Sequence, residues 1–153
     1  MNDEPITKKL DIYCDGGARG NPGPGASAFV AVNSFSQIIF KKGHYLGLST
    51  NNQAEYQAVI EALQWLIQKV STKKVEPLTI NFNLDSQLVV NQLKGLFKVK
   101  EPILRKNYLI AKELEKKLNL AMNEETLTIN YQYIPRSQNF LADALVNQTL
   151  DSF

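Results

Sequence analysis

The spacing of apolar residues changes near Asn52, and that change limits the chain to folds in which strands come first and helices alternate with strands afterwards. Before it, Leu10, Ile12 and Cys14 alternate with Asp11, Tyr13 and Asp15, the two-residue repeat of a strand with one buried face. After it, Ala58, Val59, Ala62, Leu63, Leu66, Ile67 and Val70 recur at helical spacing and mark the buried stripe of a long helix over 52–70. The same reading predicts strands over 10–15, 26–33, 37–46, 78–84 and 127–134, with a hairpin near 33–36. A short helix follows Asp85 and ends at Gly95, a second long helix covers 103–120, and a last one covers 139–150. Ile103, Ile110, Ala111, Leu114 and Leu118 are expected on one buried face of the second long helix. The Gly/Pro-rich stretch 16–25 is expected to be loop, because neither residue is favoured inside an element.

This order predicts the α/β class: a five-stranded mixed sheet, with three antiparallel N-terminal strands, two further parallel strands and helices on both faces. Parallel pairing of the first, fourth and fifth strands would bring Asp15 and Asp85 to neighbouring carboxyl ends, where open α/β sheets place their sites. At 153 residues the chain is expected to form one domain over 9–153, after a flexible lead-in over 1–8. Cys14 is the only cysteine, so an intrachain disulfide and a cysteine-based zinc site are excluded. The N-terminus lacks the apolar stretch of a signal peptide, and no segment approaches the length of a membrane span. A monomeric, cytoplasmic protein is expected.

Four isolated acids carry the chemical signal: Asp15, Glu55, Asp85 and Asp143. Carboxylates gathered on one rim with no Cys or His cluster nearby suit a hard cation such as Mg²⁺ or Mn²⁺. Each acid also has a structural explanation. Glu55 follows Asn52 by three residues, as in a reciprocal helix-start pair; Asp85 could cap the short helix beginning near Ser86. Asp143 lies at the start of the last helix, where its dipole favours negative charge. Asp15 could terminate its strand by bonding the turn. Their conjunction is harder to explain in this way. At about 5 Å and an effective dielectric near 20, each like-charged pair costs roughly 3 kcal/mol, a large share of the roughly 5–15 kcal/mol that holds a domain together. Two divalent ions are the natural counter-charge, and such a site reads as phosphodiester chemistry.

The stretch Gly-Gly-Ala-Arg-Gly-Asn-Pro-Gly-Pro-Gly is neither a Walker loop nor a dinucleotide fingerprint, and Pro22 and Pro24 have no amide to offer a phosphate. No nucleotide cofactor is expected. A rigid turn that lets nucleic-acid backbone approach closely fits better. The net charge of +2 is too small to imply a nucleic-acid partner by itself. Its distribution says more: from Lys94 to Lys117, Lys94, Lys98, Lys100, Arg105, Lys106, Lys112, Lys116 and Lys117 face only Glu101, Glu113 and Glu115. That run is either the solvated face of a helix or a phosphate-facing surface.

The segments Asp-Gly-Gly-Ala-Arg-Gly-Asn-Pro-Gly (15–23), Thr-Asn-Asn-Gln-Ala-Glu-Tyr (50–56), Asp-Ser-Gln (85–87) and Asn-x-x-Ala-Asp (139–143), in this order, resemble the type 1 ribonuclease H family over nearly the whole chain. The resemblance implies an endoribonuclease that cleaves the RNA strand of RNA–DNA hybrids with two Mg²⁺ ions, Mn²⁺ being a possible substitute, and leaves 5′-phosphate and 3′-hydroxyl ends. It implies Asp15, Glu55, Asp85 and Asp143 as the catalytic, metal-binding carboxylates. It places Gly16, Asn21, Thr50, Asn51, Asn52 and Gln87 against the hybrid, where 2′-hydroxyls distinguish RNA from DNA.

Two departures define a short form of the family. Many members carry a histidine in the loop before the last carboxylate, whereas 131–139 contains none and Arg136 stands there. Arg136 is expected to steer phosphate or leaving product; a guanidinium cannot shuttle protons near neutral pH. Longer members also carry a basic, tryptophan-containing handle, for which 95–102 is too short. Lys94, Lys98 and Lys100 are expected to supply a weaker grip. Two alternatives stay open: a hybrid-binding module that cleaves poorly, and the nuclease domain of a reverse transcriptase.

Overall fold

The computed structural model describes residues 8–72, 77–122 and 126–153. The expected lead-in, apart from Lys8, lies outside the described residues. Strands β1 (Lys9–Ala18), β2 (Gly23–Asn33) and β3 (Ile38–Ser49) form an antiparallel meander, and β4 (Leu78–Leu84) and β5 (Leu127–Tyr133) extend it in parallel on the β1 side. The strand order is β3-β2-β1-β4-β5, the mixed sheet that the period change implies. The helices are α1 (Asn51–Thr72), α2 (Gln87–Leu93), α3 (Pro102–Ala121) and α4 (Phe140–Asp151), with a 3₁₀ turn over Arg136–Gln138. Among the described residues no helix is long and apolar enough to cross a membrane.

The sheet has two unlike faces. Leu10, Ile12 and Cys14 of β1, Phe29 and Ala31 of β2, Ile80 and Phe82 of β4 and Tyr131 of β5 point to one side, where they bury α1. α1 is in turn covered by α3, and so carries buried residues well beyond its expected stripe, including Tyr56, Ile60 and Trp65. On the other side, Ala26 and Ala28 of β2 meet Val146 and Leu150 of α4. Farther along the same face, Asp11, Asn81 and Asn130 are linked across three strands by side-chain hydrogen bonds of 3.3 and 3.0 Å.

Two expectations need correction. Most of 16–25 is strand: pairing continues through Gly16↔Ser27, Gly17↔Ala26 and Ala18↔Gly25, leaving 19–22 as the turn. Glycine weakens a strand where a side chain should pack, but suits it where another backbone must come close, and that is the case here. On α3 the buried residues are Leu104, Ala111 and Leu118, while Ile103 and Ile110 are exposed. Residues seven apart lie almost above one another on a helix, so a single stripe faces α1, and Ile103 and Ile110, one position earlier, are turned about 100° from it. The hairpin near 33–36 forms as expected, with Asn33 Oδ1 accepting from the amides of Phe35 and Gln37.

Candidate active site

Asp15 lies two residues beyond Tyr13, the last residue through which β1 pairs with β4, and Asp85 directly follows the end of β4. Because the two strands run parallel and adjacent, both carboxylates leave the sheet at the same rim. Glu55 comes from the second turn of α1. It reaches that rim because the helix backbone rests directly on Gly16: a Cβ there would stand 2.2 Å from the Ala54 carbonyl carbon and 2.3 Å from the Glu55 amide nitrogen. The Gly16 amide donates to Asp15 Oδ1 at 2.9 Å and to Glu55 Oε1 at 3.3 Å, which ties the two acids to one donor. Asp15, Glu55 and Asp85 each place an oxygen within 4.8 Å of the others. Asp143, in the first turn of α4, lines the same cleft of about 480 Å³ but stands outside that trio, 3.7 Å from Arg136 Nη2.

The cluster is electrostatically frustrated. Burial, with the charges of Asp85 and Asp143 adding to it, pushes Asp15 up to about 6 despite its hydrogen bonds. Burial first and Asp15 second hold Glu55 well above the ordinary carboxylate range. Glu55 Oε2 is fully buried and has no hydrogen-bond partner. A buried acceptor with no donor calls for an explanation, and a cation supplies one. Three carboxylates with oxygens within 4.8 Å of one another, one of them also carrying a bare buried oxygen, are the donor set of a hard divalent ion, so the residues present fit such an ion.

Thr50 Oγ1 accepts from the Gln53 amide and Gln53 Oε1 accepts from the Thr50 amide, so the reciprocal pair at the start of α1 is Thr50–Gln53 and Glu55 is not needed there. Ser86, not Asp85, caps α2, by accepting from the Val89 amide. Asp143 does occupy the first turn of α4.

The residues expected against nucleic acid separate into two groups. Asn21 Oδ1 accepts from the Asn51 amide, and Asn51 Oδ1 accepts from the Ala18 amide, each at 2.9 Å. With the Thr50 cap, these side chains lock the β1–β2 turn to the start of α1. Gly16, against which the α1 backbone rests, and Asn51 also line the cleft. Asn52 and Arg136 line the cleft, Gln87 is exposed at the start of α2, and Lys94, Lys98 and Lys100 are exposed beyond its end, outside the cleft wall. Asn139 carries no site expectation although it opens the Asn-x-x-Ala-Asp segment. It is fully buried, with Nδ2 donating to the Cys14 carbonyl at 2.8 Å and to Asp85 Oδ2 at 3.4 Å.

Residues 7–151 match the RNase H family. Ribonuclease HI of Halobacterium salinarum is 36% identical over 143 residues, covering 94% of this chain and 65% of that protein. A bifunctional protein of Mycobacterium tuberculosis is 36% identical over 145 residues, covering 94% of this chain but 36% of its own length. The chain thus spans about a third of the mycobacterial relative. Among solved structures, LC11-RNase H1 in complex with RNA/DNA hybrid superposes with a TM-score of 0.83 at 33% identity, covering 94% of this chain and 97% of that one.

Proposed function

The chain belongs to the ribonuclease H family, and on that premise we propose that it is an endoribonuclease hydrolysing the RNA strand of RNA–DNA hybrids. The observation that carries the proposal is the convergence of Asp15, Glu55 and Asp85 from three elements onto one rim, with a buried Glu55 oxygen lacking any donor. Asp15, Glu55 and Asp85, with Asp143 at the cleft edge, would hold two Mg²⁺ ions, for which Mn²⁺ can substitute. When bound, such ions polarise the attacking water and stabilise the departing oxygen. Water adds to phosphorus, the bond to the 3′ oxygen breaks, and the ends are a 5′-phosphate and a 3′-hydroxyl.

The protein's own part is to arrange charge. Gly16 fixes the spacing of Asp15 and Glu55 through one shared amide. Their raised proton affinity keeps the cation-free site partly neutral, so cation binding displaces protons. Arg136 is exposed beside Asp143, where it can draw in phosphate or leaving product. Asn52 and Gln87 would meet 2′-hydroxyls, and Lys94, Lys98 and Lys100 would meet phosphates farther along the duplex. The hybrid held by LC11-RNase H1, a relative of the same fold and length, supports this substrate class. We place the protein in the cytoplasm as a monomer.

The test is cleavage of a labelled hybrid, compared with duplex DNA and duplex RNA, by wild type and Asp15→Asn. The variant keeps the shape and removes the charge. Cleavage confined to the RNA of the hybrid and severely reduced in Asp15→Asn is expected; unchanged cleavage by the variant would exclude the site.

A further inference from the structure

An asparagine at the residue preceding a helix ordinarily caps it, its side chain accepting from an amide of the first turn. Asn139 occupies that position before α4, yet its side chain makes no capping hydrogen bond. The side chain turns back into the protein, where none of it is exposed to solvent. Both of its near partners, the Cys14 carbonyl and the Asp85 carboxylate, are acceptors. That fixes the amide orientation, since only the NH₂ end can serve them. Oδ1 is thereby left buried with no donor at all, a loss for an unsatisfied polar group. A residue present only to fill space would not carry that loss.

What the arrangement achieves is clear from its connections. Nδ2 joins the carbonyl of the residue before Asp15 to the carboxylate of Asp85, and the Asn139 carbonyl accepts from the Asp143 amide at 3.0 Å. One buried residue thus touches the supports of three acids that come from β1, from the end of β4 and from α4. We propose that Asn139 is a positioning residue for the carboxylate cluster, holding Asp85 in the orientation in which it and Asp15 share a divalent cation. This rests on the metal-dependent reading above. The residue meets no substrate; it acts through Asp85.

The experiment is calorimetric titration of substrate-free protein with Mn²⁺, paired with thermal melting, for wild type, Asp15→Asn, Asn139→Ala, Asn139→Ser and Asn33→Ala. Removing a partner that orients a metal ligand typically lowers affinity about 10–100-fold, and that loss is expected for Asn139→Ala. Asn139→Ser keeps a donor and is expected to recover part of the affinity; it also provides a measurable protein if the alanine variant does not fold. Asn33 is buried in the β2–β3 hairpin away from the cluster, so Asn33→Ala should lower the melting temperature and leave Mn²⁺ affinity unchanged. Wild-type affinity in Asn139→Ala, or an affinity loss that tracks melting temperature equally in Asn139→Ala and Asn33→Ala, overturns the proposal alone. Wild-type protein that takes up no more Mn²⁺ than Asp15→Asn overturns the metal reading as well.

Discussion

Helix α1 carries two buried glutamates six residues apart, and they are opposites. Glu61 is saturated: Oε2 accepts from Ser27 Oγ at 3.0 Å and Gln57 Nε2 at 3.1 Å and lies 2.7 Å from His44 Nδ1, while Lys42 Nζ stands 2.9 Å from Oε1. Burial alone would push its carboxyl up, but the hydrogen bonds from His44, Lys42 and Gln57 prevail and hold it below the ordinary range. Glu55 has one long hydrogen bond, two acidic neighbours, a bare oxygen and a raised proton affinity. A carboxylate whose valences are met by fixed groups holds two strands to a helix. One whose valences are left open is prepared for something that arrives.

The largest expected effect separates the two on activity. Glu55→Gln should reduce hybrid cleavage by about 10³-fold or more, since metal-held charge supplies several kcal/mol of transition-state stabilisation and each 1.36 kcal/mol is tenfold. Glu61→Gln should stay within about threefold of wild type in the same assay. Comparable losses in both would erase the distinction.

Next comes the contact that brings Glu55 to the rim. Gly16→Ala sets a methyl against the α1 backbone, which cannot yield as a flexible side chain would. Overpacking of this kind costs about 1–3 kcal/mol, and displacing a reacting group by about 1 Å can cost 10²-fold in rate. A lower melting temperature and a rate loss of about that size are expected. Gly17→Ala, whose methyl would meet only Val146 Cγ1 at 3.8 Å, should melt close to wild type. Equal melting of the two variants would show that the close approach is not a constraint.

The smallest effect is on stability without added cation, and its sign differs between the glutamates. Carboxyls with raised folded-state values, such as Asp15 and Glu55, favour the folded protein when protonated, so that contribution is lost as pH rises from about 4 through 6 and beyond. The lowered Glu61 contributes above its unfolded-state value, and its contribution is lost as pH falls through the lower folded value. At neutral pH, Glu55→Gln should therefore melt higher than wild type and Glu61→Gln lower. Added Mg²⁺ should raise wild type towards the Glu55→Gln melting point. Shifts of the same sign in both variants would refute the assignment of one frustrated and one satisfied acid.

Much of this was legible in the residues. Among the described residues, the five strands and four helices fall close to where alternation, helical spacing and the Gly, Pro and polar breaks put them, and the strand order follows once β1 and β4 are parallel. Asp15 and Asp85 could be placed at one rim because a strand end is a local property. Gly16–Ala18 could not be read as strand, because composition there signals turn and the reason for glycine is a helix backbone that arrives from residues 54 and 55. Nor could α3 be assigned its buried stripe, since Ile103 and Leu104 are equally apolar and only α1 decides which faces inward.

The sequence alone determined the periodicities, the motif order and the presence of four acids without soft ligands, because these depend on residue type and spacing along the chain. Only the tertiary structure decided which acids are frustrated and which are satisfied. Glu61 meets partners 17 and 34 positions away, and Asn139 reaches back 125 residues to β1. Whether a buried charge finds a donor depends on what folding brings beside it.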